Sequence, residues 1–121
     1  AWLAEAAGVL DAHPALFDGE ALMEVPVTGL WQGQPVFGRV DLMRADGDTL
    51  HIVDFKSNRV VPARPEDVPG ALLGHLALYR AVLAPHCPRL RISLLWTVSA
   101  CLMEVPHPVL DRAAPQPLPP A

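Results

Sequence analysis

Lysine is nearly missing from this chain. Of nine basic residues eight are arginines, and Lys56 is the single lysine. Cysteine is scarce too: Cys87 and Cys101 are the only two and lie far apart. That spacing excludes a cysteine-rich zinc or iron–sulfur site, and two buried free thiols are expected rather than a disulfide. No apolar run approaches the roughly 20 residues that a membrane helix needs. Positive charge is not in excess either. The formal net charge is -4, whereas an isolated nucleic-acid binder is usually basic; the argument weakens where other domains of a longer chain hold the nucleic acid. The opening stretch, AWLAEAAGVLDAHPALFDGE, has no basic leader or cleavage pattern, so no secretory signal is expected. It shows helical spacing with no N-cap before it, the pattern of a segment from inside a larger protein.

What is present suffices for one domain with one core. The chain has 121 residues, 51% of them hydrophobic and 18% charged. Fourteen prolines gather in VVPARPEDVPG and in VPHPVLDRAAPQPLPPA. The second of these is expected to form no regular structure, so a domain of residues 1–111 is followed by a proline-rich, disordered tail at 112–121. Residues 2–13 read as a helix closed by His13-Pro14. Residues 21–31 read as a strand bent at Pro26, and 34–45 and 49–57 as two strands joined through an Asp-Gly turn into a hairpin. A proline-rich loop leads to a helix with Glu66 and Asp67 near its N-terminus, Pro69 in its first turn, and Leu72, Leu76, Tyr79 and Leu83 at helical spacing. Residues 90–99 form a buried strand and 101–106 a short edge strand. The order is α-β-β-β-α-β, an α/β sandwich around a mixed sheet, with no internal repeat.

The chemistry gathers on the hairpin. Side chains two apart on a strand share a face, so Asp54 and Lys56 in IVDFKSNR sit side by side. The hairpin register can bring Asp41 of GRVD near Asp54, although a one-residue slip would move it to the other face. Glu24 on the preceding strand can join them. Clustered carboxylates repel one another unless a cation sits between them. Mg²⁺ suits such a site because it takes hard oxygen ligands and keeps waters and room for a phosphate oxygen. A lysine then makes sense where an arginine does not: its charge is compact, and a guanidinium cannot accept a proton. Alone, an Asp-x-Lys on a hairpin is ordinarily a solvated ion pair worth about 0–1 kcal/mol; Gly38-x-x-Asp41 on the neighbouring strand is what raises the reading above that. His75 and Tyr79 form an i, i+4 pair on the following helix. Either can contact a phosphate or the lysine, or serve as a core residue. Arg59 and Arg64, just past the motif, are candidates for phosphate contact. Trp96 is expected in the core, and His51, His86 and His107 on the surface or in loops.

These residues, GRVD, IVDFKSNR and HLALY, resemble the RecB-like branch of the PD-(D/E)xK nuclease superfamily. The run from VLDAHPALF through MEVPVTG, GRVDLM, VDFKSNR, DVPGALLGHLALYRAVL and ISLLWT is similar to the C-terminal nuclease domains of AddA-type helicase–nuclease subunits, to about residue 111. The resemblance implies a restriction-endonuclease-like core and a Mg²⁺-dependent deoxyribonuclease, with Mn²⁺ as a substitute cation. It implies Asp41 and Asp54 as metal ligands, Lys56 as the catalytic lysine, and Glu24 as a further acidic residue of the catalytic set. Tyr79 would be the tyrosine of a Gln-x-x-x-Tyr helix motif in which His75 replaces glutamine. It also implies DNA with double-strand ends as substrate, ATP bound only in helicase domains elsewhere in the same chain, an AddB-like partner subunit, a cytoplasmic setting in break repair and recombination, and no membrane. Such nucleases carry another metal-ligand histidine on an upstream helix. His13 does not match it, so the site is expected to be incomplete within these residues. The rival expectation is a nuclease-like fold kept as a non-catalytic DNA-binding or subunit-docking module.

Overall fold

A computed structural model describes residues 20–87 and 89–115. The expected helix over 2–13, with His13, and the end of the proline-rich tail lie outside the described residues. Five strands form one mixed sheet: β1 (Glu20–Trp31), β2 (Gln34–Asp46), β3 (Thr49–Lys56), β4 (Arg89–Trp96) and β5 (Cys101–Glu104), in that spatial order. Strands β1, β2 and β3 make an antiparallel meander. Strand β4 runs parallel to β3, and the crossover that parallel neighbours require is helix α1 (Gly70–Leu83). Strand β5 returns antiparallel to β4. The chain is therefore an α/β domain, as its patterning predicts.

Turn chemistry sets the meander. Gln32 and Gly33 both have positive φ, the conformation of a two-residue turn whose twist matches the strands it joins. The β2–β3 loop is Gly47-Asp48, because Asp46 pairs with Thr49. Only Gly47 of the two has positive φ, so glycine takes the first central position. Strand β1 tolerates Pro26, which pairs in register with Arg39, because β1 is an edge strand. Its irregularity falls instead at Glu24, whose φ is 54°.

Helix α1 starts later than its sequence pattern suggests. Glu66 and Asp67 belong to a separate 3₁₀ turn, Pro65–Asp67, and Pro69 precedes the helix. The reason is local. A residue before proline is pushed out of the helical region, and Val68 is extended at φ -64°, ψ 136°. From Leu73 to Tyr79 every residue of α1 is buried, so the helix is enclosed on more than its sheet-facing side. Val27, Val40, Ile52, Ile92, Leu94 and Trp96 form the main core with it. Leu42, Val53 and Leu95 form a second cluster, on the other face of the sheet as strand alternation dictates.

Two expectations fail here for the same reason, burial. The stretch after β5 is not wholly irregular, since His107–Asp111 form a short helix, α2. Pro108 sits in its first turn, where a missing N–H is not needed, and Val109 and Leu110 enter the main core. Arg80 on α1 pins α2 in place, reaching Asp111 Oδ1 at 2.7 Å and the His107 carbonyl at 3.2 Å. His107 Nε2 lies 2.8 Å from the Leu90 carbonyl. That ring nitrogen must donate, which leaves Nδ1 to accept from Arg80. His51 is not a surface residue either. It is buried, with Nε2 2.7 Å from Ser93 Oγ, and burial, reinforced by the charge of Arg91, holds its pKa low. Cys87 and Cys101 are free as expected, but half-buried. Trp96 is in the core.

Leu110→Ala should cost about 2–4 kcal/mol of stability, the usual loss for truncating an enclosed leucine. Urea denaturation measures this, and an unchanged midpoint would remove α2 from the core.

Candidate active site

The site grows from a break in the alternation of β2. Val40 and Met43 both pack in the main core, while Leu42 lies in the second cluster on the opposite face. A regular strand would put 40 and 42 on one face. The pattern slips once, at Asp41. Glu24, opposite it on β1, has positive φ, and neither residue joins the pairing between Met23–Leu42 and Val25–Val40. Local irregularities of this kind re-aim a side chain. On the other side, the β2–β3 ladder stops at Leu42–Val53. Where the next rung would fall, Asp41 Oδ2 accepts the Phe55 N–H at 2.8 Å. A carboxylate thus takes the place of a ladder carbonyl, directly beside Asp54.

Asp54 and Lys56 share a face of β3, next to the parallel strand β4. Lys56 Nζ is 3.0 Å from Asp54 Oδ2. The contact is an ion pair without a directed hydrogen bond, since Oδ2 is buried and receives none from the described residues. The backbone of Lys56 is held separately: its carbonyl accepts the Thr97 N–H at 2.9 Å and the Thr97 hydroxyl at 3.3 Å. Burial, then hydrogen bonding with Asp54 and the Asp54 charge, raise the Asp41 carboxyl to about 6. The Phe55 N–H and the Lys56 charge oppose that rise without cancelling it. Two carboxylates thus lie beside one another with one ammonium, which touches Asp54, an arrangement that a hard divalent cation would relieve. Among the described residues no three His, Cys, Asp or Glu side chains converge to cage a metal. Mg²⁺ does not require such a cage, because it is commonly held by one or two carboxylates, waters and substrate phosphate. Asp41 and Asp54, with the unsatisfied Oδ2, fit that mode.

Tyr79 has a different task from contacting a ligand. Its hydroxyl accepts the Arg39 N–H at 3.0 Å and donates to the Arg39 carbonyl at 3.0 Å, two residues before Asp41. The ring lies directly over Gly38, where an added Cβ would meet Tyr79 Cε1 at 2.7 Å and the hydroxyl closer still. Glycine is needed for close approach, and this is the physical content of the Gly38-x-x-Asp41 spacing. Burial raises the Tyr79 pKa, with smaller contributions from Asp54 and Asp41. His75 stacks edge-on against Tyr79 with ring centroids 4.3 Å apart. It is buried, its Nδ1 has no partner among the described residues, and burial followed by the Lys56 charge lowers its pKa. It therefore stands uncharged at neutral pH beside the lysine.

The remaining sequence candidates are not gathered here. Glu24 is exposed, and its carboxylate turns to Arg39 at 3.6 Å. Arg64 is exposed and engaged with Asp67 and Glu66. Arg59 is exposed in the segment after β3 and makes no ion pair among the described residues. Sequence reasoning missed Thr97, which anchors the Lys56 carbonyl, and the Arg39 peptide as the partner of Tyr79. Both act through contacts of backbone atoms, which leave no residue-type signal.

In the metal-free protein, Asp41 binds its proton more tightly folded than unfolded. Its contribution to stability is therefore full below about pH 4, where the unfolded aspartate ionises, and is lost as pH rises through about 6. Asp41→Asn, which can still accept the Phe55 N–H, should flatten the profile across that window. It should also raise stability at pH 7.5 by roughly 1–2 kcal/mol, discounted for partial exposure. Urea titrations in chelator at pH 5 and 7.5 test this, and a variant less stable than wild type at pH 7.5 would refute it.

No family model matches this chain, and no curated protein matches it. Among solved structures, one described as "Crystal structure of SSO0001" is similar, with 13% sequence identity, a TM-score of 0.51, and alignment over 90% of this chain and 55% of that one. This chain thus spans about half the length of that protein, and at such identity the likeness bears on the fold alone.

Proposed function

We propose that these residues form a metal-dependent deoxyribonuclease core of the PD-(D/E)xK type, the catalytic part of an AddA-like helicase–nuclease. The observation that carries the reading is the meeting of Asp41 and Asp54 at the end of the β2–β3 ladder, with Lys56 Nζ 3.0 Å from Asp54. A structural ion pair has no need of a second carboxylate held beside the first and raised by burial and by that neighbour. A cation site does.

Bound at Asp41 and Asp54, Mg²⁺ or Mn²⁺ would supply the charge that lowers the pKa of a water and polarises the phosphorus. The protein's own residues supply the rest. Asp41 is fixed through the Phe55 N–H, so its second oxygen is oriented without loss of freedom on binding. Asp54 lies on the central strand β3, paired with Leu94 of β4 where the β2–β3 ladder has ended. Lys56 places a compact ammonium where charge develops on the phosphate and where an attacking water would be oriented. His75, neutral and enclosed, adds no competing charge. Tyr79 keeps the strand that bears Asp41 in place through the Arg39 peptide.

The net charge of -4 works against unaided capture of DNA. Delivery of a double-strand end therefore falls to helicase domains of the same chain, which hold the ATP, and to an AddB-like partner.

In the intact protein, Asp54→Ala should abolish Mg²⁺-dependent degradation of linear duplex DNA while ATP hydrolysis continues. Lys56→Arg should lose activity by about two orders of magnitude or more, because the larger, planar guanidinium keeps the charge but cannot take the position of the compact ammonium that orients the water. Gel assays of end-labelled DNA read both. Undiminished cleavage by folded Asp54→Ala would end the assignment.

A further inference from the structure

Resting on that reading, we propose that Lys56 is a placeholder: in the metal-free protein its ammonium sits on the Asp54 oxygen that a divalent cation would take, so cation entry and release of the lysine are one event. Three features of the site carry this.

The first is position. Lys56 Nζ is 3.0 Å from Asp54 Oδ2, and that oxygen is otherwise buried, so the ammonium and an incoming cation compete for the same approach. The second is direction. An ammonium satisfies a carboxylate best by pointing an N–H along a lone pair, and here Oδ2 is buried yet receives no directed hydrogen bond from the described residues. The lysine therefore neutralises Oδ2 without bonding it well. A spherical ion has no N–H to aim and loses nothing by approaching from the same side. The third is freedom to leave. The Lys56 backbone is locked to Thr97, while its side chain is part-exposed and the residues after it, Ser57 to Val60, are exposed and outside any strand. The stem can swing about a fixed root without disturbing β3.

The lone pair on Asp41 completes the picture. The Lys56 ammonium lies against Asp54 and is the smallest of the influences on Asp41, so Asp41 lacks a close cationic partner of its own. One ammonium cannot serve both carboxylates and a divalent ion can, which gives the exchange its direction. Once displaced, the ammonium lies beside the site rather than in it, where a water or phosphate oxygen can be met.

The test uses Mn²⁺ binding to the intact protein, free of nucleotide, followed by electron paramagnetic resonance. Asp54→Ala defines the binding that does not belong to this site. Lys56→Met keeps the length of the stem and removes its charge; Lys56→Gln serves in the same way if the first variant folds poorly. Without the competing ammonium, site-specific Mn²⁺ affinity should rise about tenfold, although cleavage is lost. Lys56→Arg should bind Mn²⁺ about as wild type does. Unchanged or weaker binding in both neutral variants, with the Asp54-dependent signal still present in wild type, would overturn the placeholder role and leave the nuclease reading standing. Absence of any Asp54-dependent Mn²⁺ signal in wild type and variants alike would overturn both.

Discussion

Two carboxylates pressed together on the surface of a hydrophobic sheet repel each other, and the rest of the domain is arranged so that they cannot move apart. Asp54 is fixed by its pairing with Leu94 of β4, one residue past the end of the β2–β3 ladder. Asp41 is fixed by the Phe55 N–H and by the Tyr79 clamp on the peptide two residues earlier. Tyr79 is fixed because α1 is buried along the whole stretch that carries it. Each restraint is ordinary packing or hydrogen bonding; their sum holds a local repulsion that the folded chain would otherwise relax. Strain kept at a site by an over-determined surround is a common mark of function.

The sheet and the crossover helix were legible in the sequence because they rest on period-two alternation and helical spacing. Alternation in QPVFGRVDLMRA and THE apolar run LRISLLW need only be read for their side chains. Where reading failed, the deciding factor was either a local backbone restriction or burial against residues distant in sequence. The pre-proline restriction at Val68 moved the start of α1 past Glu66 and Asp67. The prolines at 106 and 108, read as helix-breaking, instead stand at a helix start, and what commits the segment to a helix is the burial of Val109 and Leu110 against α1. His51 was misplaced because a lone histidine in a strand carries no sign of the serine two strand positions and a crossover away.

The candidate site was legible in its members and not in its geometry. Asp41, Asp54 and Lys56 stand out by type and spacing, but the slip in β2 that brings Asp41 to Asp54 has no residue signature of its own. Strict alternation would place Asp41 on the face opposite its neighbour Val40 and predict the wrong relation to Asp54. Glu24 shows the converse. Its register opposite Asp41 is right for membership, yet its carboxylate faces Arg39 across the edge of the sheet.

The contact of the Tyr79 ring with Gly38 has a consequence for how this chain can change over time. Any side chain at position 38 needs the space the ring occupies, and any smaller residue at 79 leaves the Arg39 peptide without its hydroxyl partner. Neither position can drift alone. A lineage that loses the glycine must first or at once lose the tyrosine, and with it find another way to hold β2, so the two sites form an evolutionary ratchet spanning a strand and a helix.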